Sequence, residues 1–509
     1  MSVVRVVFVI FAISVGTFSL SAQTATITGN APDYAGQTLI LHCKDNLISD
    51  SEITPAECKV AANGEFKFEF QLSGTKLVWL YLGVFKARLL VEPDMNYRIK
   101  LPPRTDKTPE EAASPFFQEW QVYLHVLECT DANKNPVPPE EELNFCSIRF
   151  DEAYFPLHDS IAMNTMRNKT IRINPMMDSL KQRFPLTRND YFNRYMTYRY
   201  GMLHYARQEN IRTISNAFFS GKPVLYDNEA YMELFNLTYK DYFMYFGRSK
   251  EGNAIYDVIN RRKSLSGLQH LLKADGTFAG DSLLEMVMIK NLYDEFYSDR
   301  FSRPALLTVL DSICEKSLIA RHREISRQIR SKITRLLRGY APPAFSLYNQ
   351  DSVLVTPDSY KGKYVYLMFC TTQNYVCLSQ YEILKELYRI HHQWLHIVVI
   401  SADENFDDMR EFRRKSGYLW DYLHFAGQPD VLKDYDVRIF PTCFFIDPEG
   451  KLATSPAPDA GNIDQLLYSE LNGKGLWRQY IDQGLINRKY LEQRMKPRDG
   501  ETGENSPPR

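Results

Sequence analysis

Tyr364-Val365-Tyr366-Leu367-Met368-Phe369-Cys370 runs directly into Thr371-Thr372-Gln373-Asn374-Tyr375-Val376-Cys377. Seven apolar or aromatic residues in succession after Gly362-Lys363 read as a central strand buried on both faces. The polar stretch that follows ends the strand. Asn374 is among the best helix N-cap residues, because its side-chain oxygen accepts from the first free helix N–H groups. Cys377, Tyr381, Leu384 and Tyr388 then recur at three- and four-residue spacing and predict one apolar helix face. Residues 370–377 therefore sit at a strand-to-helix junction.

Three further signals flank this junction in fixed order. Ala341-Pro342-Pro343-Ala344-Phe345-Ser346-Leu347 precedes it. Leu395-His396-Ile397-Val398-Val399-Ile400-Ser401-Ala402-Asp403 reads as a second buried strand after the helix. Tyr435-Asp436-Val437-Arg438-Ile439-Phe440-Pro441-Thr442 then leads into Cys443-Phe444-Phe445-Ile446-Asp447-Pro448-Glu449-Gly450-Lys451-Leu452, a hairpin-like stretch.

In order and spacing these signals resemble the thioredoxin superfamily, in its TlpA/ResA-like and redoxin branch related to AhpC/TSA proteins. The resemblance covers about a quarter of the chain. It implies an α/β thioredoxin fold over 339–475 and a cis peptide bond at Pro441, beside the reactive sulfur. It assigns substrate contact to Pro441, Phe440 and the position of Asn374. The chain departs from the family at the redox motif. Cys377 falls on the second cysteine of Cys-x-x-Cys, and Asn374 occupies the place of the first, exposed, attacking sulfur. The family's helix proline is also missing, with Glu382 near its place, and Met368 stands where a charged proton acceptor is often found.

Three readings of the site stay open at this level. In the first, Cys377 is a catalytic thiolate favoured by the first helical turn, with Cys370 as partner in thiol–disulfide exchange. A Cys-x6-Cys loop must then fold back to about 5.5 Å between Cα atoms. In the second, Cys377 serves a peroxiredoxin-like peroxidase, although Asn374 replaces the usual threonine. In the third, the fold is redox-silent and binds partners, with Cys377 as a small buried hydrophobe. Cys443, near the end of the Cys370 strand, is a candidate for a structural contact with Cys370. His391, His392 and His396 are read as solvent-facing. No cofactor or metal is expected.

The N-terminus, MSVVRVVFVIFAISVGTFSLSAQ, has Arg5 before a short apolar run and Ala22 at a cleavage-like position. That is the layout of a secretory signal peptide over 1–22, too short for a span of about 30 Å. It predicts a periplasmic or cell-envelope protein with at most peripheral membrane contact. From 23 to 105 short strands and the Asn63-Gly64 turn predict a small antiparallel β-sandwich-like domain. That stretch resembles the β-rich domain preceding thioredoxin modules in exported Bacteroidetes-type proteins. Residues 106–338 read as an all-α middle region whose aromatics, such as Tyr195, Tyr198, Tyr231 and Phe235, form core stripes. Residues 476–509 read as a short helix and a disordered tail. Cys43 with Cys58, and Cys129 with Cys146, are each spaced for a loop of about 15 residues; bridged or free thiols fit the sequence equally. A net charge of -1 gives no signature of a nucleic-acid partner. The partners expected are exported proteins or peptides, with or without thiols or disulfides.

Overall fold

The computed structural model describes residues 23–108, 111, 117–169, 171–278, 280–403, 405–425 and 429–473. The expected signal peptide and the 476–509 tail lie outside the described residues. The chain divides into two compact units, Met1–Ile329 and Arg330–Arg509.

Among the described residues of the first unit, nine strands form two sheets. They are β1 (Gln23–Asn30), β2 (Thr38–Lys44), β3 (Glu52–Lys59), β4 (Glu65–Leu72), β5 (Lys76–Leu82), β6 (Phe85–Val91), β7 (Asn96–Lys100), β8 (Trp120–Tyr123) and β9 (His125–Thr130). One sheet has the order β4-β1-β7-β9 and the other β3-β2-β5-β6-β8. Their inner faces share one core that includes Ile27, Phe68, Val78, Leu89 and Tyr97. The alternation read from Glu65 onward is realised: Phe66, Phe68, Phe70 and Leu72 point inward while Glu65, Lys67, Glu69 and Gln71 face solvent. Gly64 turns the chain with φ +86°. A Cβ there would meet the Pro32 backbone nitrogen at 2.8 Å, so glycine is required.

Two features differ from the expected sandwich. Its pairing is not wholly antiparallel, because β1 and β7, and β6 and β8, run parallel. It also continues past residue 105: β8 and β9 belong to it, and the first long helix begins only at Leu143. The helical region that follows belongs to the same compact unit. Its aromatic stripes are core, with Tyr195, Tyr198, Tyr231 and Phe235 all buried. The two cysteine pairs do not meet. Cys58 lies opposite Leu39 and Cys43 opposite Ile53, four residues further along the β2–β3 ladder. None of the eight cysteines is in a disulfide.

The second unit is built on a seven-stranded sheet of order β11-β10-β14-β13-β12-β15-β16. Its strands are β10 (Leu347–Asn349), β11 (Leu354–Val355), β12 (Tyr364–Cys370), β13 (Leu395–Ser401), β14 (Asp421–His424), β15 (Thr442–Ile446) and β16 (Leu452–Ala457). β12, β13 and β14 are mutually parallel, whereas β15 runs antiparallel to β12 and β16 antiparallel to β15. The helix Tyr375–His391 links β12 to β13. Every residue of β12 is buried. Tyr364, Tyr366, Met368 and Cys370 enter one core, with Tyr381, Leu384, Cys377 and Cys443. Val365, Leu367 and Phe369 enter a second core on the opposite face. Each large apolar side chain so buried contributes about 1.5–3 kcal/mol. A cavity of about 500 Å³ lies against Val365 and Leu367 on that second face.

His391 corrects the reading of solvent-facing histidines. It is 1% exposed, and its Nε2 lies 2.8 Å from Asp464 Oδ1. The partner comes from a helix 73 residues further on, which no local pattern announces.

Candidate functional site

β12 delivers Cys370 to the end of the central strand, and the chain must then turn into a helix within four residues. Asp403 holds that turn. Its carboxylate accepts from Thr372 N at 3.0 and 3.2 Å and from Thr372 Oγ1 at 3.0 Å. It also accepts from Ser401 Oγ at 2.5 Å, and the Asp403 carbonyl accepts from His424 Nε2 at 2.8 Å. These groups are buried, so each hydrogen bond offsets a desolvation cost of about 1–3 kcal/mol. By sequence alone Ser401 to Asp403 reads only as a strand end, and this clamp is missed; an acidic residue directly after a buried strand was the available signal.

Asn374 then caps the helix. Its Oδ1 accepts from Val376 N at 2.9 Å and from Cys377 N at 3.1 Å. The exposed helix tip thus carries an amide, with Tyr375 83% exposed beside it. Cys377, the third helical residue, points inward and is fully buried, as is Cys370.

The two sulfurs face each other. Cys370 and Cys377 share one buried core and interact directly, beside the Thr371 backbone N–H. Polar interaction with Cys370, and after it with the Thr371 backbone, holds the Cys377 thiol below its ordinary value despite burial. Burial, and secondarily the interaction with Cys377, push the Cys370 thiol far upward. Within the pair, Cys377 is the sulfur disposed to carry charge. Cys443 is a third thiol in the same core, pushed up to about 12 by burial. In register it stands opposite Met368, two positions short of Cys370.

The Phe440–Pro441 peptide is cis. Phe369 pairs with Thr442, which brings Pro441 beside the Cys370 end of β12. Phe440 and Pro441 are half-buried, while Ile439 is 67% exposed. The structure therefore gathers Cys370, Cys377, Asn374 and Pro441 at one end of the sheet. No group of three potential metal-ligating side chains occurs among the described residues.

The ordered set of strand, capped helix, second strand and cis-proline hairpin agrees with a family match over residues 339–455, to the AhpC/TSA family. These residues are an AhpC/TSA-family domain with a thioredoxin fold. Solved structures similar to the AhpC/TSA domain include a putative thiol-disulfide oxidoreductase from Bacteroides vulgatus, 22% identical, covering 27% of this chain and 93% of that one with a TM-score of 0.25. A putative thiol:disulfide interchange protein DsbE from Chlorobium tepidum is 19% identical, covering 27% and 99%, with a TM-score of 0.25. StoA from Bacillus subtilis is 15% identical, covering 25% and 98%, with a TM-score of 0.22. No curated protein matches the chain. No described helix is long and apolar enough to cross a membrane.

Proposed function

We propose that this is an exported cell-envelope protein whose AhpC/TSA domain carries an internal thiol–disulfide couple formed by Cys377 and Cys370. The reading rests on one observation: Cys377, in the first helical turn, and Cys370, at the end of β12, are both fully buried in one core and interact directly. On oxidation both thiols lose hydrogen and one S–S bond forms. Two electrons and two protons pass to an external oxidant, a small disulfide or a peroxide. With Asn374 at the tip, the domain lacks the exposed sulfur that attacks a partner's disulfide, so the couple works without a first-position nucleophile. Thiol trapping of the full chain across about −350 to −150 mV, mapped by peptide mass, tests this. A reversible two-electron transition at 370 and 377 is expected; thiols that stay unchanged over the whole range would sink it.

A second reading, a redox-silent module that binds exported proteins or peptides, is favoured by the exposed apolar side chains Tyr375, Val376 and Ile439. It requires Cys377→Ser to leave function intact while Tyr375→Ser or Ile439→Ser removes it. Export itself is tested by N-terminal sequencing of periplasmic material, which should begin at Gln23.

A further inference from the structure

The first unit holds a separate chain of polar groups. His322, on the helix Ala320–Thr334, is fully buried. Its Nδ1 lies 2.8 Å from Glu285 Oε1 and its Nε2 lies 2.9 Å from the Tyr226 hydroxyl. Glu285, on the helix Asp281–Phe296, is itself buried and also accepts from the Ser317 hydroxyl, with Gln269 Nε2 at 3.4 Å from its other oxygen. A carboxylate can only accept, so Nδ1 carries the hydrogen and the Nε2 of a neutral ring accepts from the Tyr226 O–H. Tyr226 is half-buried and lines a cavity of about 600 Å³ with Arg188, Arg194, Asp227 and Asn228. Asp227 is held there by Arg321 at 3.2 Å and Lys76 at 3.4 Å. Ser282 Oγ stands 3.5 Å from the tyrosine oxygen.

A hydroxyl bonded to an imidazole that a buried carboxylate orients is the arrangement that activates an oxygen nucleophile. Burial raises the Tyr226 hydroxyl above its ordinary value, so it is a neutral phenol at pH 7. Its proton therefore has to leave as the oxygen attacks, and His322 Nε2 is placed to take it.

We propose that Tyr226, which lines this cavity, is a nucleophilic hydroxyl, with His322 as its proton acceptor and Glu285 as a positioning residue, acting on acyl- or sulfonyl-type esters and halides. In the step, the Tyr226 oxygen bonds to the electrophilic carbon or sulfur and its proton passes to His322. The bond to the leaving group breaks, and the leaving group departs with the electron pair. The cluster draws on residues 96 and 37 positions apart, which is why no sequence motif reveals it.

The test is labelling of the full chain at pH 7 with an aryl sulfonyl fluoride, mapped by peptide mass. The exposed Tyr245 and Tyr375 act as internal references. Tyr226 should react about 100-fold faster than either, the scale of general-base assistance. Its rate should persist below pH 8, where an unassisted phenol loses about tenfold per unit. His322→Gln should bring Tyr226 to the reference rate without changing Tyr245, and Glu285→Gln should lower it part-way. A wild-type Tyr226 no faster than the references would overturn the proposal, and that comparison needs no variant to fold. Unchanged Tyr226 labelling in a folded His322→Gln chain would overturn it equally.

Discussion

Replacing the helix cap by sulfur, Asn374→Cys, is the most direct trial of the register assigned to this site. Asn374 Oδ1 accepts two backbone N–H groups, at 2.9 and 3.1 Å. Losing that amide cap costs about 1 kcal/mol of stability. A thiolate placed there would meet the same two N–H groups and the positive end of the helix Tyr375–His391. Helix N-termini bring cysteine pKa values to about 7.5 or lower, against about 8.5 for a free thiol. At pH 7 the thiolate fraction would then rise from about 3% to about 24% or more, an increase of about eightfold or greater. The assay is the rate of alkylation by N-ethylmaleimide at position 374, beside insulin reduction by the same variant. Because thiolate nucleophilicity falls as its pKa falls, an alkylation rate about threefold above that of glutathione is expected. Mild oxidation should join the introduced sulfur to Cys377 in a disulfide, and the variant should gain insulin reduction. A substituted thiol that reacts no faster than glutathione, or never bridges to Cys377, would show that position 374 is not the attacking one.

In the unmodified domain, Cys370 and Cys377 should react with iodoacetamide much more slowly than in the unfolded chain, since both are fully buried; labelling as fast as in the unfolded chain would contradict the geometry. Asp403→Ala removes the anchor of Thr372 and should speed alkylation of Cys377 at least about tenfold with a stability loss of about 2 kcal/mol; unchanged kinetics would exclude the clamp. His391→Leu removes the imidazole from the buried Asp464 carboxylate and should lower stability by about 2 kcal/mol, read by denaturant melting of the second unit. The pH dependence follows from the raised thiols. Cys443, with a folded value of about 12, stays protonated in the native domain, whereas in the unfolded chain it ionises near 8.5. Its contribution is therefore complete below about pH 8.5 and is lost as the pH climbs toward 12. A Tm that does not fall between about pH 8 and pH 11 would oppose this.

The parts of the fold visible in the sequence were those governed by local pattern. The unbroken apolar run 364–370 could only be a strand covered on both faces, and Asn374 announced the helix start because capping is a property of one side chain and the N–H groups just ahead of it. β8 and β9 escaped because both are edge strands of their sheets. An edge strand needs no alternating pattern, and Trp120, Gln121 and Tyr123 are all exposed. The sulfur geometry was half legible. The spacing left a Cys370–Cys377 pair as one reading among three, and the depth of each thiol, which bears on the choice, is set by packing. His391 was misjudged for the same reason, since its acceptor arrives from a distant helix.

β12 works as a partition wall. Its even-numbered residues, 364 to 370, belong to the room that holds all three sulfurs, and its odd-numbered residues line the room with the 500 Å³ space. The two rooms can therefore be refurnished independently. Filling the open side by enlarging Val365 adds bulk where space already exists and leaves the packing around the sulfurs beyond the wall untouched, so rigidity can be gained on one side of this domain without disturbing the other.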